Sequence, residues 1–171
     1  MRVAVVGNSG SGKSTLAQSL AAVHGLARLD LDTVAWEPGQ VAIPRDTVSA
    51  VADVEAFCAA HPRWVVEGCY ANLLHGPLKH VPVLVFMDPG LDACLLNCRQ
   101  RPWEPHKYQS RQEQDEKLVF LLSWVREYYT RDGEFSLAAH QRLFDSYAGP
   151  KHRLTGRAER TFIEQLALPG A

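Results

Sequence analysis

A chain of 171 residues carries, near its start, the segment Gly7-Asn8-Ser9-Gly10-Ser11-Gly12-Lys13-Ser14-Thr15. It matches the phosphate-binding pattern G-x-x-x-x-G-K-[ST], called a P-loop. A β-branched run precedes it at 2–6, and an Ala- and Leu-rich run follows it at 16–23, so we expect strand, glycine loop and helix in succession. The alternative is a Gly- and Ser-rich turn that binds nothing.

A loop of this kind directs its backbone N–H groups toward an anion at a helix N-terminus. Lys13 is expected to bridge the outer phosphates of a nucleoside triphosphate, and the Ser14 hydroxyl to bind the accompanying Mg²⁺. The sequence therefore predicts ATP and Mg²⁺ as cofactors. The loop residues expected to contact the nucleotide are Gly7, Ser9, Gly10, Ser11, Gly12, Lys13, Ser14 and Thr15.

The composition favours one domain over residues 1–171, since 46% hydrophobic content at this length supports one sizeable core. The formal charge of −1 favours neither a nucleic-acid nor a membrane partner. No basic leader is present, and no run approaches the roughly 18 apolar residues of a membrane span, so we expect a cytoplasmic protein. The four cysteines form no C-x-x-C pair and are interpreted as free thiols.

Two carboxylates, Asp30 and Asp32, end the second predicted strand at 26–32. In a parallel α/β sheet, ligands bind beyond the carboxyl ends of the strands. Residues two apart on an extended chain project to one side, so both carboxylates are expected to face one cleft. Asp32 is then expected to orient or deprotonate an acceptor hydroxyl, and Asp30 to support Mg²⁺. Alternatively, Asp32 caps or turns the following loop.

The acceptor-binding region is predicted at about 33–62, where an apolar stripe at Val48, Val51, Val54 and Cys58 indicates a helix over about 44–61. Trp36 either walls the acceptor pocket or packs on the sheet edge. Arg45 either contacts an anionic acceptor or is solvated. After a third strand at 63–68, Gly68 and Tyr70 are further candidate acceptor contacts.

A fourth, continuously apolar strand at 81–88 ends at Asp88. An acid in this position is expected to hold Mg²⁺ through water. Asp88 before Pro89 is also typical of a helix N-cap, and the two interpretations are compatible.

A short lid is predicted at about 101–112, with Arg101 and Arg111 at its hinges. Closing it would bring guanidinium groups onto a transferring phosphoryl group. The alternative is a pair of arginines on a solvated connection. Ser110 to Glu113 is a capping box that starts a long helix, predicted to run to about 132. A helix at 135–147, a fifth strand at 151–155 and a helix at 157–168 complete the chain.

Strands that alternate with helices predict a three-layer α/β fold with a parallel sheet. Beyond this pattern, the loop 7–15, the segments 29–39 and 64–70, and Phe86-Met87-Asp88-Pro89 together resemble the bacterial P-loop proteins known as DNA topology modulation or adenylate-kinase-related proteins. More broadly, the layout resembles the adenylate, shikimate and gluconate kinase group. That resemblance implies strand order 2-3-1-4-5 and a lid that carries arginines.

By the same resemblance, Asp30 and Asp32 match an acid pair for metal and acceptor, Gly68 closes the acceptor side, and residues 154–158 lie near the adenine. Arg101 and Arg111 match lid arginines. The family label implies DNA involvement, but the basic residues of this chain form no stripe with interleaved aromatics. Asn97 stands where a basic residue is common in such helices.

The favoured function is a MgATP-dependent phosphotransferase acting on a small polar or anionic acceptor, either a small molecule or a nucleotide. A kinase of nucleic-acid ends is a close variant. The alternative from another class is a regulatory module that binds a nucleotide and transfers nothing. A GTPase is not expected, since no N-K-x-D segment is present.

Overall fold

The computed structural model describes residues 1–37, 43–105 and 108–166. Its strands are β1 (Arg2–Gly7), β2 (Ala27–Asp30), β3 (Trp64–Gly68), β4 (Val83–Met87) and β5 (Lys151–Leu154). Its helices are α1 (Lys13–His24), α2 (Asp32–Ala35), α3 (Thr47–Ala60), α4 (Ala71–Leu78), α5 (Leu91–Arg99), α6 (Arg111–Glu127), α7 (Leu137–Ser146) and α8 (Arg160–Gln165). None of the described helices has the length and hydropathy needed to cross a membrane.

The strands form one parallel sheet in the order β2-β3-β1-β4-β5, which confirms the predicted topology. β1 lies at the centre, where Val3 pairs with Val65 of β3 and with Val83 of β4. Parallel neighbours require crossover connections, and the helices provide them. All five carboxyl ends therefore lie along one edge of the sheet.

Helices cover both faces of the sheet because successive residues of β1 point to opposite sides. Val3 and Val5 belong to the same buried cluster as Leu20 of α1. Val6 belongs to the opposite cluster, together with Val54 of α3. The result is the predicted three-layer arrangement. α5 and α6 pack on each other in a separate cluster beyond the end of β4.

The start of α3 differs from the predicted helix. The Asp46 carboxylate accepts a hydrogen bond of 2.9 Å from the Ser49 backbone N–H, and this N-cap starts α3 at Thr47. Val48 was predicted to face inward but is 77% exposed, whereas Val54 and Cys58 are buried as predicted. The first turn of α3 therefore turns its apolar residue to solvent.

The start of α6 confirms Ser110 as the N-cap of the predicted capping box, but Glu113 reaches back to Gln109, one residue before the N-cap. The Ser110 hydroxyl accepts from the Glu113 N–H at 3.1 Å, and the Glu113 carboxylate accepts from the Gln109 N–H at 2.8 Å. The helix ends at Glu127, earlier than predicted. The predicted terminal helix is shorter too, since α8 covers Arg160–Gln165 and residues 167–168 lie outside the described part of the chain.

Candidate functional site

A cleft of about 810 Å³ opens at the carboxyl edge of the sheet. Its walls come from the loop after β1, the ends of β2 and β3, and the segments that follow β4, α5 and β5. The cleft thus joins regions that are far apart in sequence. The predicted site residues that line it are Ser9, Gly10, Ser11, Gly12, Lys13, Ser14, Thr15, Asp30, Asp32, Gly68 and Arg101.

The loop between β1 and α1 requires glycine at two positions. Gly10 has φ 77° and Gly12 has φ 95°, in the left-handed region that disfavours side chains. A Cβ atom on Gly10 would also lie 2.3 Å from the carbonyl oxygen of Cys94 in α5. The loop therefore folds tightly against α5, with Gly12 immediately before the N-terminus of α1.

Lys13, the first residue of α1, is only 8% exposed. Its ammonium group donates a hydrogen bond of 2.8 Å to the backbone oxygen of Asn8. The charge is thus held across the loop, at the positive end of the α1 dipole. This arrangement concentrates positive potential in the cleft and fits an anionic ligand.

The two predicted carboxylates share the cleft, but the chain does not continue as a strand between them. β2 ends at Asp30, Leu31 takes a helical conformation, and Asp32 begins the one-turn helix α2. The Asp30 carboxylate accepts a hydrogen bond of 3.0 Å from the Asp32 N–H, which stabilises the turn. The predicted extended geometry was therefore wrong. Asp30 and Asp32 nevertheless both line the cleft.

Glu67, the penultimate residue of β3, is a third acid in the cleft that sequence reasoning missed. It is 1% exposed, and its Oε1 atom has no hydrogen-bond partner among the described residues. Burial, together with nearby Asp30, raises the pKa of Glu67, while Lys13 and the Ser14 hydroxyl oppose that rise. The available signal was an acid that interrupts an apolar strand, directly before Gly68.

Tyr70 lies behind Asp32 and is 3% exposed. Its hydroxyl donates a hydrogen bond of 2.7 Å to Asp32 Oδ1. Trp36 packs edge-on against Tyr70 with the ring centroids 6.3 Å apart, and it contacts the core cluster. Of the two predicted alternatives for Trp36, the structure therefore shows packing and not a wall of the acceptor pocket. Neither ring is among the residues that line the cleft.

Known structures with the same architecture can be compared with this chain. A shikimate kinase from Bacteroides thetaiotaomicron has a TM-score of 0.52 at 16% identity, over 96% of this chain and 93% of that one. The chain has a P-loop kinase-like fold. A sugar kinase from Janibacter sp. HTCC2649 has a TM-score of 0.48 at 16% identity, over 97% of this chain and 91% of that one. No protein-family model and no curated protein matches the sequence.

In this P-loop kinase-like fold, two of the predicted arginines, Arg45 and Arg111, lie away from the cleft. Arg45 forms an ion pair of 2.8 Å with Asp53 of α3 and donates to the Val34 carbonyl, so it links the start of α3 to α2. Arg111 pairs with Asp115 one turn along α6, and both side chains are exposed. Neither arginine lines the cleft.

Residues 100–110 connect α5 to α6 and overlap the lid predicted at about 101–112; residues 106–107 lie outside the described part of the chain. Arg101 does line the cleft, as predicted. Its guanidinium lies 3.4 Å from the Glu104 carboxylate, which also lines the cleft. Arg101 is therefore placed to bring positive charge to the cleft, and Arg111 is not.

Asp88 neither caps α5 nor lines the cleft. Its carboxylate forms an ion pair of 2.5 Å with Arg153 of the neighbouring strand β5. The N-cap of α5 is Gly90, so the predicted capping role was wrong. Because β4 and β5 are adjacent, the acid after β4 is paired by its neighbour across the sheet.

The opposite end of the cleft lies beyond β5, where it is lined by residues 155–158, part of the segment 154–158 that was predicted to lie near the adenine. Asn97 of α5, at the position where a basic residue was expected, donates a hydrogen bond of 2.8 Å to the Gly10 carbonyl oxygen. In this P-loop kinase-like fold, Asn97 therefore contacts the loop between β1 and α1 directly.

Proposed function

We propose that this chain is a MgATP-dependent phosphotransferase that moves the γ-phosphate of ATP to a small-molecule or nucleotide acceptor. The observation that carries the proposal is the presence in one cleft of the glycine loop with buried Lys13 and of the carboxylates Asp30, Asp32 and Glu67. A single domain in the cytoplasm, as the sequence predicts, is part of the same proposal.

The sheet order supports a division of the cleft into two halves. The loop follows the central strand β1, and residues 155–158 follow β5 on one side, where the nucleoside of ATP would lie. The carboxylates follow β2 and β3 on the other side, where an acceptor would lie. The γ-phosphate would then reach from Lys13 toward Asp32, so the donor and acceptor approach each other along the sheet edge.

A magnesium ion would fit where the donor and acceptor halves of the cleft meet. No group of three His, Cys, Asp or Glu side chains among the described residues is arranged to hold a metal by itself. Mg²⁺ needs less from the protein, because it binds through one or two carboxylates together with substrate phosphates and water. The orphaned Oε1 of buried Glu67, close to Ser14 and Asp30, suits such a site. Bound there, Mg²⁺ would supply positive charge to the phosphates.

Asp32 is the proposed general base. Tyr70 holds one of its carboxylate oxygens at 2.7 Å, which fixes the orientation of the group. In the transfer, the acceptor hydroxyl gives its proton to Asp32 and its oxygen forms a bond to the γ-phosphorus. The bond from that phosphorus to the β,γ-bridging oxygen breaks, and ADP leaves with the electron pair. Lys13 and Arg101 would offset the negative charge on the transferred group.

The test is ADP formation with nucleoside monophosphates, sugars, hydroxy acids and 5′-hydroxyl oligonucleotides as acceptors. We expect one class to raise ADP formation well above the rate of a Lys13→Ala control. Asp32→Asn is expected to lower that rate at least about 100-fold while the affinity for ATP is retained.

A protein that binds ATP but forms no ADP above the Lys13→Ala rate with any acceptor would overturn the proposal. It would support the regulatory-module alternative. Activity confined to the oligonucleotides would instead identify a kinase of nucleic-acid ends.

A further inference from the structure

Two asparagine side chains bond the phosphate-binding loop to the helix pair α5–α6. The Asn8 side-chain amide donates a hydrogen bond of 3.0 Å to the backbone oxygen of Val125 in α6, in a buried environment. The Asn97 amide of α5 donates one of 2.8 Å to the backbone oxygen of Gly10. Both bonds join segments that are distant in sequence, so they fix the loop relative to these helices.

Asn8 also organises the loop itself. Its side chain is 3% exposed, and its Oδ1 accepts a hydrogen bond of 2.8 Å from the Ser9 N–H. Its backbone oxygen accepts from the Lys13 ammonium at 2.8 Å and from the Ser11 N–H at 3.2 Å. One residue therefore connects the loop turn, the lysine and α6.

The helices α5 and α6, which accept or donate these bonds, are themselves packed against each other. Val125 lies two residues before the end of α6, among the carbonyl groups that a helix C-terminus leaves without an intrahelical partner. The Asn8 amide satisfies that carbonyl. Val125 also packs with Cys94 and Cys98 of α5 in one buried cluster, and the Cys98 sulfur lies close to Gly10. The loop, α5 and α6 thus form one packed unit.

We propose that Asn8 and Asn97 are positioning residues that hold the loop amides in the arrangement that receives phosphates before a nucleotide binds. The inference rests on the proposed function, which makes a nucleotide the ligand of the loop. A loop that is already ordered avoids the entropy loss of ordering during binding. Removing either side-chain amide keeps the backbone N–H groups of the loop and Lys13 in the chain. It lets the loop take other conformations, in which these groups no longer converge on one point.

The test compares Asn8→Ala and Asn97→Ala with the wild-type chain by calorimetric titration of ATP and of inorganic tripolyphosphate. The Kd of each variant is expected to rise about 3- to 10-fold, the loss that corresponds to one net hydrogen bond. The rise in Kd should be the same for both ligands. Tripolyphosphate has no nucleoside, so it depends only on the loop contacts to phosphate that both ligands share. Loss of general stability alone would not produce this equality in a folded variant.

The matched control is Asn72→Ala. The Asn72 side chain accepts a hydrogen bond of 2.8 Å from the adjacent Leu73 N–H, and Asn72 is not among the residues that line the cleft. Its variant should bind both ligands as the wild type does.

The inference would be overturned if both variants bound ATP and tripolyphosphate with wild-type affinity. It would also be overturned if they lost affinity for ATP but not for tripolyphosphate. Either result would leave the proposed function intact. If Asn8→Ala fails to fold, Asn97→Ala decides, since its bond lies at the surface. A wild-type chain that binds neither ligand would refute the proposed function and this inference with it.

Discussion

His140 of α7 makes the fold sensitive to acid. The ring is fully buried; its Nδ1 lies 2.8 Å from the Tyr128 hydroxyl, and its Nε2 lies 3.1 Å from the Cys69 carbonyl oxygen. Because a carbonyl only accepts, Nε2 carries the proton and Nδ1 accepts from Tyr128. A second proton on Nδ1 would remove the acceptor for the Tyr128 hydroxyl proton and place a positive charge in a buried site. The network holds α6 and α7 to Cys69, which lines the cleft.

The size of the effect follows from the pKa. Burial lowers the pKa of His140 to about 4. In the unfolded chain the group takes up its proton near pH 6.5, but in the folded chain only near pH 4. The stabilisation is therefore complete above pH 6.5 and is lost as the pH falls toward 4. At about 1.4 kcal/mol per pKa unit, the total is about 3 kcal/mol, of which about 2 kcal/mol is lost by pH 5.

The assay is urea unfolding at pH 7.5 and pH 5 for the wild type and His140→Gln. The neutral amide of His140→Gln keeps a donor and an acceptor but does not titrate. The stability advantage of the wild type over this variant is expected to shrink by about 2 kcal/mol between the two pH values. An advantage of His140 that is independent of pH would refute the reasoning.

Three substitutions test other contacts. Gly10→Ala should lower the free energy of unfolding by at least about 2 kcal/mol, because its methyl group would meet the Cys94 carbonyl at a left-handed φ; an unchanged urea midpoint would contradict this. Val81→Asn should raise it by about 1 kcal/mol, since Val81 is exposed at φ 50°, and a lower midpoint would argue against backbone strain. Tyr70→Phe should lower kcat about 10-fold with an unchanged KM for ATP. An equal loss in an Asp32→Asn background would show that Tyr70 does not act through Asp32.

The central strand, the loop and the sheet could be predicted because their signals are local. The glycine spacing of residues 7–15 specifies strand, turn and helix together, and the apolar runs indicate buried parallel strands. The turn between Asp30 and Asp32 could not be predicted in the same way. It depends on a hydrogen bond from a backbone N–H to a side chain two residues earlier, which the alternation of a strand pattern does not reveal.

Charged side chains were harder to place, because their partners come from other parts of the fold. In the sequence, Asp88 resembles a metal ligand. In the fold, its carboxylate forms an ion pair with Arg153, because β4 and β5 are neighbours. Glu67 resembles an ordinary strand residue until β2 and β3 pair and bring it beside Asp30. Arg111 did have a local signal, since Asp115 follows it by four residues.

The fate of the γ-phosphate is the most direct measurement of the central claim. Wild-type protein, Mg²⁺ and ATP labelled at the γ-phosphate are incubated with the acceptor that supports the fastest ADP formation, and the products are separated. We predict that the label appears on the acceptor in equal amount to ADP, and that Lys13→Ala abolishes the transfer. Label found only in inorganic phosphate, or retained in ATP, would contradict the proposed transfer.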